Sequence, residues 1–101
     1  VRLKLTLTED NPTIKPYDQD TWVCQADVLG VPLESSLQLL RGLHARWTLL
    51  LRALPAEAWK RTYYHPEYHE SVTLESFLNT YSNHCRKHLE HINGLKRAKG
   101  W

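Results

Sequence analysis

Two histidines, His84 and His88, stand four residues apart in the amphipathic run from Tyr81 to Ile92, a spacing that puts both side chains on one face of a helix. Neutral imidazole is the commonest protein ligand for divalent transition metals. Such a pair therefore supplies two of the three protein ligands of a typical catalytic site, which keeps a further position for water. The plainer reading of the same spacing is a pair of helix-face histidines satisfied by hydrogen bonds. Spacing leaves both open, and a third ligand has to come from elsewhere.

Other side chains able to do chemistry are weaker candidates. His44 falls in the apolar seam of another long helix, where it is either a substitute third ligand or, as preferred here, a core histidine bonded to a neighbouring carbonyl or carboxylate. His65 and His69 lie in a Tyr-rich stretch beside Pro66 and are expected to be solvated loop residues rather than ligands. Cys85 sits at a seam position as a small apolar filler, and no cation is placed to lower its pKa. Glu67, Glu70 and Glu90 are the acidic residues within reach as general bases, with Glu90 on the side of the helix away from the seam, and the sequence selects none of them.

The elements that must hold these residues can be read from periodicity. The positions Leu74, Leu78, Tyr81, Cys85, His88, Ile92 and Leu95 repeat in a 4-3 rhythm, which predicts a long helix starting after Thr73 as N-cap with Glu75 in its first turn. On that helix His88 is expected to point into a bundle, with His84 about 40° away and His91 beyond His84. A second 4-3 series, Leu33, Leu37, Leu40, His44, Trp47, Leu51 and Leu54, predicts a helix bounded by Pro32 and Pro55. Val1 to Thr8 suits either a short strand or the last turns of a helix. Residues 9–20, with two prolines and many turn formers, read as an ordered loop. Residues 56–72 read as a short helical turn followed by an aromatic loop or small hairpin.

A chain of 101 residues with 42% hydrophobic and 24% charged residues has the composition of one small soluble domain. No apolar run approaches the roughly 20 residues of a membrane span, and the N-terminal residues lack the apolar core of a signal peptide, so the cytoplasm is the expected compartment and no membrane partner is expected. Two cysteines, Cys24 and Cys85, do not make a disulfide framework and are expected to be free thiols. The net charge of +2 is small. Basic residues gather only at Lys96, Arg97 and Lys99, where they complement a helix C-terminus, so nucleic acid is not an expected partner. No methionine occurs, not even at position 1, so a processed, truncated or incompletely represented chain is expected.

The segments Leu43–Trp47, Arg61–Glu67 and Tyr81–Ile92, the last with His84, His88 and His91, together resemble the DinB/YfiT-like family, and the resemblance runs from Lys4 to Trp101. It implies an all-α fold, a partial four-helix bundle with two long helices, a short N-terminal element and a Tyr-rich loop or hairpin. It also implies a divalent metal, Zn or Ni, held by three histidines, of which the His-x-x-x-His pair maps onto His84 and His88. The family's early histidine lies a few residues upstream of the segment that resembles Val1–Leu5. Residues 1–101 are thus expected to form a single partial bundle domain without the family's N-terminal helix and first metal histidine.

The expected function is that of a metal-dependent hydrolase or bacillithiol-type thiol transferase, in which the metal activates water or a low-molecular-weight thiol against a small-molecule substrate. The rival reading is a non-catalytic helical module that associates with itself to bury its two long seams, with a degenerate metal site; a homo-oligomer is expected on this ground.

Overall fold

A computed structural model describes residues 1–101. The chain divides into two units: Val1–Ile14 together with Glu57–Trp101, and the intervening Lys15–Ala56.

The first unit carries the candidate pair. Its opening segment, ambiguous in sequence, is the helix α1, Arg2–Thr8. Leu3 and Thr6 are buried on one side of it, and the Thr6 and Thr8 hydroxyls donate back to the carbonyls of Arg2 and Lys4 at 2.9 and 2.8 Å. A helix thus satisfies the threonines locally, which a lone edge strand would not. After α1 the chain runs extended, with Pro12 and Ile14 buried, and is pinned to Tyr64: Tyr64 N–H donates to Pro12 O at 2.9 Å and Ile14 N–H to Tyr64 O at 3.1 Å.

A 3₁₀ turn, Ala56–Lys60, leads into an antiparallel hairpin of β1, Thr62–His65, and β2, Glu70–Thr73. The hairpin expected as one of two alternatives is therefore the one formed. His69 closes its turn with φ of 53°, a left-handed conformation that histidine tolerates better than most side chains. The long helix α5, Leu74–Lys99, starts where the sequence placed it. Thr73 Oγ1 accepts from Ser76 N–H at 3.2 Å, and Gly100, at φ of 68°, ends the helix after a basic last turn.

The core of this unit is small: Leu3, Ile14, Ala58, Tyr63, Leu74 and Phe77. Arg61 ties its parts together. Its Nε donates to Thr6 O at 2.6 Å and its Nη2 to Glu9 O at 2.7 Å, capping orphan carbonyls at the end of α1, while its own carbonyl accepts from Leu74 N–H at 3.0 Å. Two charge-assisted bonds are lost in Arg61→Ala. The variant should be less stable by about 2–3 kcal/mol, read as a lower midpoint of urea unfolding with unchanged slope.

The second unit holds two short helices that periodicity did not foresee, α2 (Gln19–Val23) and α3 (Ala26–Gly30), and the predicted long helix α4 (Leu33–Arg52). Asp18 starts α2, accepting from the Thr21 hydroxyl at 2.6 Å and its N–H at 3.1 Å. Those bonds hold its carboxyl below the usual carboxylate range, the side-chain bond contributing most. Segments of five residues are too short for a 3.6-residue period to register, and only this cap signals them. Of the α4 seam, Leu37, Trp47 and Leu51 are half-buried, whereas Leu33, Leu40 and His44 are exposed. His44 is therefore not the core histidine expected.

Candidate metal centre

His84 and His88 lie in the middle of α5, three turns beyond its cap. Their Nε2 atoms face each other at 3.1 Å and the rings stand at 87° with centroids 4.4 Å apart. Without a metal this is a hydrogen bond in which one imidazole donates and the other accepts. The same separation suits a shared ion: two imidazole nitrogens bound at about 2.0–2.1 Å lie about 2.9–3.4 Å apart for right-angled to tetrahedral geometry. The residues present therefore fit a divalent metal as a bidentate pair, with both donor atoms already turned to a common point. His91 adds a third ring on this side of the helix, 5.9 Å from His88 and at 84° to it. Within this unit no third His, Cys, Asp or Glu joins the pair as a ligand.

The expected inward orientation of His88 is not what is observed. Burial on α5 is confined to Leu74 and Phe77 in its first turn, the turn that adjoins β2 and meets Tyr63 of the hairpin. Beyond it Tyr81, Cys85, His88, Ile92 and Leu95 are exposed. Cys85 is thus an accessible thiol rather than an apolar filler, and Cys24 is likewise free and exposed.

His65 departs from its expected place in the opposite direction. It is on β1 and buried, 6% exposed, with its ring stacked on Tyr68 at 4.2 Å and 21°. Its Nε2 lies 4.0 Å from a Glu67 carboxylate oxygen, and its Nδ1 is buried without a partner. The alternation of β1 puts Tyr63 and His65 on the same buried face, a period-2 signal that was present in Thr62–His65 but masked by Pro66 and the turn. His69, Glu67 and Glu70 are exposed at the hairpin end, and Glu90 is exposed on α5.

An aromatic run connects hairpin to helix. Tyr63 packs edge-on to Phe77 at 5.9 Å and 88°, and Phe77 meets Tyr81 at 4.4 Å. Burial pushes the Tyr63 phenol above its ordinary pKa. Tyr81 is one turn before His84, so this run fixes the stem of α5 from which the pair projects.

The chain is 45% identical over its full length to a Bacillus subtilis protein named "Putative metal-dependent hydrolase YfiT", covering 57% of it. It is 43% identical over its full length to the Oceanobacillus iheyensis "Putative metal-dependent hydrolase OB0782", covering 58%. The chain thus spans somewhat over half the length of these relatives. Among solved structures, that of Bacillus subtilis YfiT, described as "a probable metal-dependent hydrolase with an unusual four-helix bundle topology", superposes with a TM-score of 0.92 over 99% of this chain and 57% of that one, at 45% identity. The all-α fold expected from the sequence, part of a four-helix bundle, is the fold found. Residues 1–92 match the sequence profile of the DinB superfamily, and the chain belongs to that superfamily.

Proposed function

We propose that this chain carries two ligands, His84 and His88, of the metal centre of a metal-dependent hydrolase or thiol transferase, with Zn²⁺ or Ni²⁺ as the metal. The observation that carries the reading is the 3.1 Å approach of the two Nε2 atoms on an exposed helix face. The names of two relatives, each printed as a "Putative metal-dependent hydrolase", support it. A divalent metal held by three protein ligands lowers the pKa of bound water or thiol towards neutrality and so supplies a nucleophile.

The chain's own residues have a narrower task. His84 and His88 present imidazole nitrogens to one point. Their backbone is held by a helix whose first turn is locked by Thr73, Leu74 and Phe77. Exposure of the face leaves room for a small-molecule substrate or a low-molecular-weight thiol. We read residues 1–101 as one partial bundle domain, with the third ligand supplied from outside the pair, and place the protein in the cytoplasm. No helix is long and apolar enough to cross a membrane.

The decisive assay follows turnover of an activated ester and of thiol transfer to an electrophile by metal-stripped protein. Both activities are expected to be absent after chelation, and one of them to return with Zn²⁺ or Ni²⁺. Equal turnover before and after stripping would exclude a metal-dependent reaction. The exposed apolar residues Leu33, Leu40, Leu43, Ile92 and Leu95 favour, as a second reading, a self-associating homodimer. The sedimentation mass of the same stripped sample distinguishes that dimer from a monomer.

A further inference from the structure

We infer that His91 is a positioning residue for the metal pair: its ring packs against His88 and holds that imidazole with Nε2 turned to His84. The inference rests on the metal-binding reading above. His88 is the middle ring of three along one side of α5, perpendicular to His84 at 4.4 Å and to His91 at 5.9 Å.

The need for such a neighbour follows from exposure. A histidine on an open helix face samples several rotamers, and its second torsion is broad and only loosely staggered. Only a rotamer that aims Nε2 at the shared point binds metal, so the others reduce affinity unless something removes them beforehand. His84 is itself a ligand, and its contact with His88 changes when an ion enters between the two nitrogens. Cys85, one turn below, is too small to restrain a ring. His91, three residues on, is a direct neighbour on the helix surface, and an edge-to-face ring contact is the kind that orients aromatic pairs. No hydrogen bond from His91 is required.

The test uses the full chain with His91→Ala and His91→Phe, and two readouts. In Zn²⁺ competition against a chromogenic chelator, His91→Ala is expected to weaken affinity about three- to tenfold, while His91→Phe, which keeps a ring at that place, stays within about twofold of the unmodified protein. In metal-free protein, NMR should show a cross-peak between the His84 and His88 ring protons that persists in His91→Phe and fades in His91→Ala. An alanine variant with unchanged affinity and cross-peak overturns the inference. So does a phenylalanine variant as weak as the alanine one, which would make the imidazole nitrogens rather than the ring the necessary part. A parent protein that takes up no Zn²⁺ defeats the metal reading instead, and the metal-free NMR comparison still decides whether His91 positions His88.

Discussion

Replacing either member of the pair, in His84→Ala or His88→Ala, should lower Zn²⁺ or Ni²⁺ affinity by at least about a hundredfold, beyond the 10–100-fold that loss of a supporting partner typically costs. The two nitrogens act as a chelate. Once one is bound, the other is already 3.1 Å away, so its binding carries little further ordering cost, and removing one forfeits both a bond and that advantage. Both residues are exposed, so neither substitution opens a cavity, and circular dichroism and the unfolding midpoint should change little. Metal content measured by atomic emission after gel filtration checks the outcome. Undiminished metal in both variants would show that the ions are held elsewhere.

The largest effect on stability is expected at Phe77. It is 4% exposed and joins the hairpin to α5 through Tyr63 on one side and Tyr81 on the other. Phe77→Ala leaves a cavity in a small core, where little else can move in to fill it. The expected loss is about 3–5 kcal/mol, which is a large share of the whole stability of a domain this size. Phe77→Leu retains most of the volume and should cost distinctly less. Thermal unfolding followed by near-ultraviolet circular dichroism, sensitive to the Tyr63 and Tyr81 environments, separates the two variants. A small loss in Phe77→Ala would mean that the hairpin is held to α5 by its backbone bonds and the Arg61 bridge instead.

The sequence was most legible where one local signal sufficed. Thr73 as cap, the basic last turn at Lys96, Arg97 and Lys99, and the His-x-x-x-His spacing were visible because each depends on residues within one or two helical turns. The boundaries of α4 at Pro32 and Pro55 were legible for the same reason. Burial was read less well. A 4-3 pattern states that a face is apolar but not that a neighbour covers it, so His88, Cys85 and His44 were expected inside and are exposed.

His65 failed in the other direction. Its surroundings of Pro66, Glu67 and His69 suggested a loop, whereas the hairpin register that buries it depends on pairing with β2 and on the strand-like segment around Pro12 and Ile14, far away in sequence. Arg61 is a similar case. Nothing local distinguishes it from other surface arginines, and its role appears only when the carbonyls of Thr6 and Glu9 are brought beside it.

The central claim is that His84 and His88 bind one divalent ion together. X-ray absorption at the Zn or Ni edge of the metal-loaded chain reads the ligands directly. The claim predicts at least two imidazole nitrogens at about 2.0–2.1 Å, with their outer-ring scattering, in the unmodified protein, and loss of that signal in the His84→Ala, His88→Ala double variant. A first shell without imidazole scattering, or one that the double substitution leaves unchanged, would contradict it.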